Sequence, residues 1–102
     1  MSVHGDYKIT ITTPAGAIET ELSVELDGNH LSGEMHDSNG HTAHIEGEMH
    51  GHDVTWHTHV TDPEPMDLEF HGTCSDDVCT IITGEVSTPD GRHAPFTGHR
   101  EH

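Results

Sequence analysis

Apolar and polar residues alternate along most of this chain in short segments, and each segment ends at Gly, Pro, Asp or Asn. Nowhere does a helical spacing of apolar residues continue for eleven residues. Because a period of two puts alternate side chains on opposite faces of a strand, the pattern predicts an all-β fold. The predicted strands cover residues 7–13, 17–27, 30–36, 42–50, 53–61, 66–74, 78–86 and 93–100.

A weak repeat shows how these strands assemble. Gly-Glu-Met-His occurs at 33–36 and again at 47–50, and a glycine recurrently follows an apolar residue by two positions. Such a glycine lies on the same strand face as the apolar residue, and without a Cβ it lets a small barrel bend tightly. We therefore predict a single domain over residues 1–102, folded as one small antiparallel up-and-down β-barrel of about eight strands. The repeated pairs are Leu31/Gly33, Ile45/Gly47, Phe70/Gly72, Ile82/Gly84 and Phe96/Gly98.

The two ends of the chain resemble a known family. Residues 6–16, DYKITITTPAG, and residues 95–100, PFTGHR, are similar to small calycin-like (lipocalin-like) meander barrels. The resemblance implies a barrel that binds small apolar molecules or serves as an accessory domain. Outward strand positions in such barrels are usually Thr or Lys, whereas many in this chain are His.

One consistent set of apolar residues is predicted to point into the barrel, and most histidines then fall on the opposite, outer face. In so small a barrel, the large inward side chains are expected to fill the core, although they would also suit a ligand cavity. The inward set is Leu22, Val24, Leu26, Leu31, Met35, Ile45, Met49, Val54, Trp56, Val60, Met66, Leu68 and Phe70.

The charge balance excludes some partners. Nineteen carboxylates stand against three Lys or Arg, so the formal charge is −16 with neutral histidines. Nucleic acids and anionic membranes need clustered basic residues, and neither is expected as a partner. Protonating all thirteen histidines would bring the charge to −3, so mild acid should alter self-association. A similar excess of acid is also typical of proteins adapted to high salt.

The N-terminus has no cationic segment followed by an apolar run, and no apolar stretch is long enough to span a bilayer. The expected location is therefore the cytoplasm. A secreted chain from which a signal peptide had been removed would look the same.

Hairpin geometry predicts which histidines lie side by side. A tight turn at Gly51-His52 pairs Glu46 with His57 and His44 with His59, and the next hairpin sets His57 beside Glu69 and His59 beside Asp67. Opposed strand residues have Cβ atoms about 4.5 to 5.5 Å apart, which suits shared coordination of a divalent ion. The predicted metal residues are His44, His57, His59, Glu46, Asp67 and Glu69.

Imidazole ligands favour copper or zinc, with nickel and iron as further candidates. An open coordination position would make the protein a metal-dependent enzyme, with Glu46 or Glu69 as the base. Ions shared between two histidine faces would give a homo-oligomer. The alternative interpretation of the same residues is a solvated surface with only weak, adventitious metal affinity. A rival function is a carrier of small apolar molecules inside the barrel, whose histidines provide only charge and solubility.

A second metal motif overlaps the first. Gly51, His57, His59 and Glu64 have the spacing of the first cupin motif, and Gly84, Pro89, Gly91 and His93 loosely match the second. This similarity implies a mononuclear metal oxidoreductase with the metal inside the barrel. It would require His57 and His59 to point inward in place of Trp56 and Val60.

Cys74 and Cys79 leave three alternatives open. A two-residue turn at Asp76-Asp77 would make them neighbours on adjacent strands and allow a disulfide. They could instead bind a metal as thiolates together with His71, or remain reduced with no role.

Overall fold

The computed structural model describes residues 2–37, 40–60, 66–76 and 79–101, with the backbone alone for residues 2–4 and 60. Eight strands follow one another along the chain, in agreement with the sequence prediction. They are β1 (Ser2–Thr13), β2 (Gly16–Asp27), β3 (His30–Asp37), β4 (Thr42–His50), β5 (Asp53–Val60), β6 (Met66–Cys74), β7 (Ile81–Ser87) and β8 (His93–Arg100).

The strands form one closed antiparallel barrel in which each strand pairs with its neighbours in sequence. β8 closes the circle by pairing with β1 from Tyr7↔Arg100 to Ile11↔Phe96. The predicted up-and-down barrel of eight strands is thus confirmed. The strand ends that the β1–β2, β3–β4, β5–β6 and β7–β8 connections join lie at one end of the barrel, called here the hairpin end, and the other strand ends lie at the opposite end, called here the closed end.

Side chains point alternately into and out of the barrel along each strand, and the described members of the predicted inward set are buried or partly buried. Trp56 and Phe70 are fully buried, and their rings stack with centroids 4.8 Å apart. Phe96 meets both rings edge-on, at 5.6 and 5.3 Å. These three aromatics fill the middle of the barrel, where flat rings pack without leaving a channel. The side chain of Val60, also predicted to point inward, lies outside the described residues.

Glycines set how closely neighbouring strands approach. A Cβ on Gly84 would lie 1.8 Å from the backbone oxygen of His71, and one on Gly47 would lie 1.9 Å from that of Thr55. No side chain fits at such distances. Both positions belong to the repeated apolar-x-Gly pattern, and the close approach of the strands there agrees with the tight bending that the pattern predicts.

Two strand boundaries differ from the prediction by more than one residue. β1 begins at Ser2 instead of residue 7, because it pairs along the whole of β2, from Ser2↔Asp27 to Thr13↔Gly16. β7 begins at Ile81 instead of residue 78, because Cys79 has a positive φ of 56° that an extended strand does not allow. Cys74 consequently pairs with Ile82, not with Cys79 as the predicted two-residue turn required.

Candidate functional site

The predicted rows of histidines and carboxylates form on the outer wall. Glu46 pairs with His57 across β4–β5, and His57 pairs with Glu69 across β5–β6. His59 pairs with Asp67, as predicted. The described β4–β5 pairs end at Ile45↔Thr58, one step short of the predicted pairing of His44 with His59.

Within these rows the side chains associate in twos. His59 Nδ1 lies 2.7 Å from Asp67 Oδ1, and His44 Nε2 lies 3.4 Å from Glu46 Oε1. Glu69 contacts His71. Among the residues that the structure describes, no three His, Cys, Asp or Glu side chains gather in a geometry that could hold a metal ion.

The histidines of the cupin-like motif face outward. His57 and His59 are exposed, while Trp56, which precedes His57 on the same strand, is fully buried. A cupin places its motif histidines inside the barrel, and this strand has the opposite orientation. Glu64 of the motif lies outside the described residues.

The cysteines are joined to each other. Cys74 and Cys79 form a disulfide with Cα atoms 4.7 Å apart, so the alternative of thiolate ligands beside His71 is wrong. The Tyr7 hydroxyl donates a 2.7 Å hydrogen bond to the backbone oxygen of Cys79. Burial raises the pKa of Tyr7, while Arg100 opposes that shift. The disulfide and the Tyr7 hydroxyl thus lie together at the closed end of the barrel.

The hairpin end is open and holds a cavity of about 920 Å³. Inward-facing residues from several strands line its lower part, with the Phe70 ring and the buried Thr58 among them. The cavity-lining apolar residues are Ile11, Pro14, Ile18, Met35, Ala43, Met66, Leu68, Phe70, Val86 and Ala94.

The β1–β2 hairpin forms the apolar side of the mouth. Its described pairs with the neighbouring strands end at Ile11↔Phe96 and Thr20↔Asp37, so residues 12–19 extend beyond them. Ile18, at 52% exposure, lines the cavity from this extension. A large apolar side chain left half in water beside a cavity is available to contact a ligand.

Histidine and arginine side chains line the rest of the mouth, and each of them contacts a carboxylate. His41 Nδ1 lies 3.2 Å from Asp37 Oδ2, and His93 Nδ1 lies 3.9 Å from Glu85 Oε2. Arg92 Nε lies 3.0 Å from Asp90 Oδ2. The His44–Glu46 and His59–Asp67 pairs also belong to this rim, because both histidines line the cavity. The pKa of Asp90 is lowered, chiefly because the Thr88 hydroxyl donates a hydrogen bond to it.

Sequence reasoning favoured a filled core and kept a ligand cavity as the alternative. It assigned Met35, Met66 and Phe70 to the core or to a ligand cavity, and the structure places all three on the cavity wall. The available signal was the small inward Ala43 and Ala94, which leave space near the hairpin end. Trp56, by contrast, lies below the cavity, and its Nε1 finds no acceptor among the described residues.

No protein-family model matches the chain, and no curated protein or solved structure is significantly similar to it. Across residues 2–37, 40–60, 66–76 and 79–101, no helix has the length and apolar character needed to cross a membrane.

Proposed function

We propose that this barrel binds a small, mainly apolar molecule in the cavity at its hairpin end. The observation that carries the proposal is the cavity of about 920 Å³, which is open at the mouth and apolar along its walls. Ligand sites in proteins typically measure about 300 to 1,000 Å³ and combine apolar walls with a few polar groups. Eight-stranded barrels have an interior that holds one small ligand.

The dimensions set a limit on the ligand. The cavity wall on β6 runs from Met66 at the mouth to Phe70 at the floor. Four residues of strand cover about 13 Å, and the usual tilt of barrel strands reduces the depth to about 10 Å. The Trp56–Phe70 stack stops the ligand from passing further. A two-ring aromatic compound or a medium-length alkyl chain fits this depth.

A neutral fluorescent probe tests the proposal. N-phenyl-naphthylamine is expected to bind with one equivalent per chain and to gain fluorescence as it leaves water. Ala94→Phe should weaken binding at least tenfold, because Ala94 lines the cavity and the added ring would occupy it. Thr83→Phe is the matched control, since Thr83 is exposed on the outer wall of the same β7–β8 hairpin.

Two results would count against the proposal. One is the absence of saturable probe binding to the folded wild-type protein. The other is equal loss of binding in Ala94→Phe and Thr83→Phe, which would indicate a site outside the cavity. Circular dichroism of each variant verifies that the barrel is intact. Binding of this kind would also agree with the calycin-like resemblance of the chain ends.

Metal binding on the outer wall is a second candidate function. The observation that favours it is the strand register, which sets His57 between Glu46 and Glu69 and sets His59 beside Asp67. Small rotations of exposed side chains would bring two imidazoles and a carboxylate onto one divalent ion, with copper or zinc preferred over nickel or iron. An open position on that ion would make the site catalytic.

Elemental analysis of protein purified without an affinity tag tests the second candidate. A true site predicts about one equivalent of metal, lost in His57→Ala/His59→Ala and retained in the control His50→Ala. Metal content well below one equivalent after incubation with copper or zinc would rule this candidate out. His57→Ala alone should keep full binding of the neutral probe, because His57 lies on the outer face and does not line the cavity.

A further inference from the structure

The mouth of the cavity carries more carboxylates than permanent cations. Among the described residues that line it, Asp37 and Arg92 carry permanent or ionised charges. Four more carboxylates are not part of the lining but contact side chains that are: Glu46 contacts His44, Asp67 contacts His59, Glu85 contacts His93 and Asp90 contacts Arg92. A neutral imidazole beside a carboxylate leaves the charge of that carboxylate in place. With its imidazoles neutral, this set of side chains has a net charge of about −4. Asp62 and Glu64, between β5 and β6, lie outside the described residues.

Four of the five threonine hydroxyl groups along the cavity also favour a ligand that donates hydrogen bonds; the fifth, that of Thr42, contacts His36 Nδ1. Thr58 donates its hydrogen to the backbone oxygen of His44, and Thr20 donates to that of His36. Thr13 donates to Gly16, and Thr88 donates to Asp90. Each of these hydroxyls has used its one hydrogen and retains only lone pairs for a ligand. A ligand that donates hydrogen bonds is therefore favoured over one that accepts them.

From these two observations we propose that the ligand is an apolar amine, bound with its alkyl or aryl body in the cavity and its ammonium group at the mouth. The inference rests on the proposed function, because it assigns a chemical class to the occupant of the same cavity. An ammonium group supplies three donors and a positive charge, so it matches both the lone pairs and the negative rim.

The size of the preference follows from the barrel geometry. Eight strands about 4.8 Å apart, tilted by about 40°, enclose a circle of about 8 Å radius. A charge at its centre interacts through water with four net charges, and 8 Å is the shortest distance to them, because Glu46, Asp67 and Glu85 point outward from the wall. An amine should then bind up to about fourfold tighter than a neutral analogue at 0.15 M salt, and up to about 15-fold tighter at 0.01 M salt. A carboxylate should be weakened by similar factors.

Competition between three matched compounds measures this preference. Decylamine, decanol and decanoate share one alkyl chain and differ in the charge of the head group at pH 7.5. Each displaces N-phenyl-naphthylamine from the wild-type protein at low and at moderate salt. The expected order of affinity is amine, then alcohol, then carboxylate, with the spread shrinking as salt is added.

A pair of double variants tests where the charge acts. Asp37→Asn/Asp67→Asn removes two negative charges at the mouth and should weaken decylamine up to about fourfold at 0.01 M salt, with decanol unchanged. Asp27→Asn/Asp53→Asn removes the same charge at the closed end of the barrel and should change decylamine affinity less than twofold. Asn at position 37 keeps the oxygen that accepts the 2.9 Å hydrogen bond from the His41 backbone N–H.

The outcomes separate this inference from the proposed function. If decanol binds and decylamine binds no better at low salt, the amine assignment is overturned while the cavity function stands. Equal effects of the two double variants would also overturn it, because the preference would then reflect total charge. If none of the three compounds displaces the probe and the probe itself does not bind, the proposed function fails first.

Discussion

Replacing Gly84 by alanine should destabilise the barrel strongly, although it adds one methyl group. The added Cβ would lie 1.8 Å from the backbone oxygen of His71 and 2.6 Å from the Cα of Gly72. Restoring a 3.0 Å separation requires the β6 carbonyl to move by about 1.2 Å. Both obstacles are backbone atoms, so no side-chain rotation relieves the clash.

The expected cost lies at the upper end of the range for overpacking, about 3 kcal/mol. In an open sheet an edge strand could shift outward and relieve the clash, but a closed barrel has no edge strand. For a domain of this size, 3 kcal/mol corresponds to a fall in Tm of about 12 to 24 °C. Thermal unfolding followed by circular dichroism, without reducing agent, measures it.

Gly51→Ala is the matched comparison. Gly51 lies in the β4–β5 turn with φ of +61° and no atom within 4 Å of the added Cβ. Its cost comes from backbone conformation alone, about 1 to 2 kcal/mol. The reasoning about close strand approach is refuted if Gly84→Ala is no more destabilising than Gly51→Ala.

Three other expectations concern different parts of the barrel. Burial raises the pKa of Tyr7, so the unfolded chain loses the phenol proton first and stability should fall as the pH rises above 10.0; urea unfolding from about pH 9 to about pH 11 should show this fall, and Tyr7→Phe should remove it. Replacing Cys74 and Cys79 by serine should lower the free energy of unfolding by about 2 kcal/mol, because the disulfide restricts the unfolded chain and the loop that it closes is short. A Tm unchanged from that of the oxidised protein would contradict this. Ile18→Ser should weaken probe binding about fivefold through lost apolar contact, while urea unfolding should show stability within about 0.5 kcal/mol of wild type.

The amino-acid sequence by itself determined the strands and most of their pairing. Alternation marks which residues enter the barrel, and a tight turn such as Gly51-His52 leaves one register that keeps Met49 opposite Val54. That register also predicts the position of His57 between two glutamates. These features are local, because each hairpin is decided by residues close together in the chain.

The tertiary structure alone decided the features that join distant parts of the chain. Closure through β1 and β8 sets the barrel radius, and the radius decides that the aromatics fill the middle while a cavity remains at the hairpin end. Side-chain rotamers decide that the outer histidines meet carboxylates in twos, since a shared register brings backbones together and leaves exposed side chains several directions. The cavity and the charge of its rim arise from residues on many strands, and their meeting depends on the closed barrel.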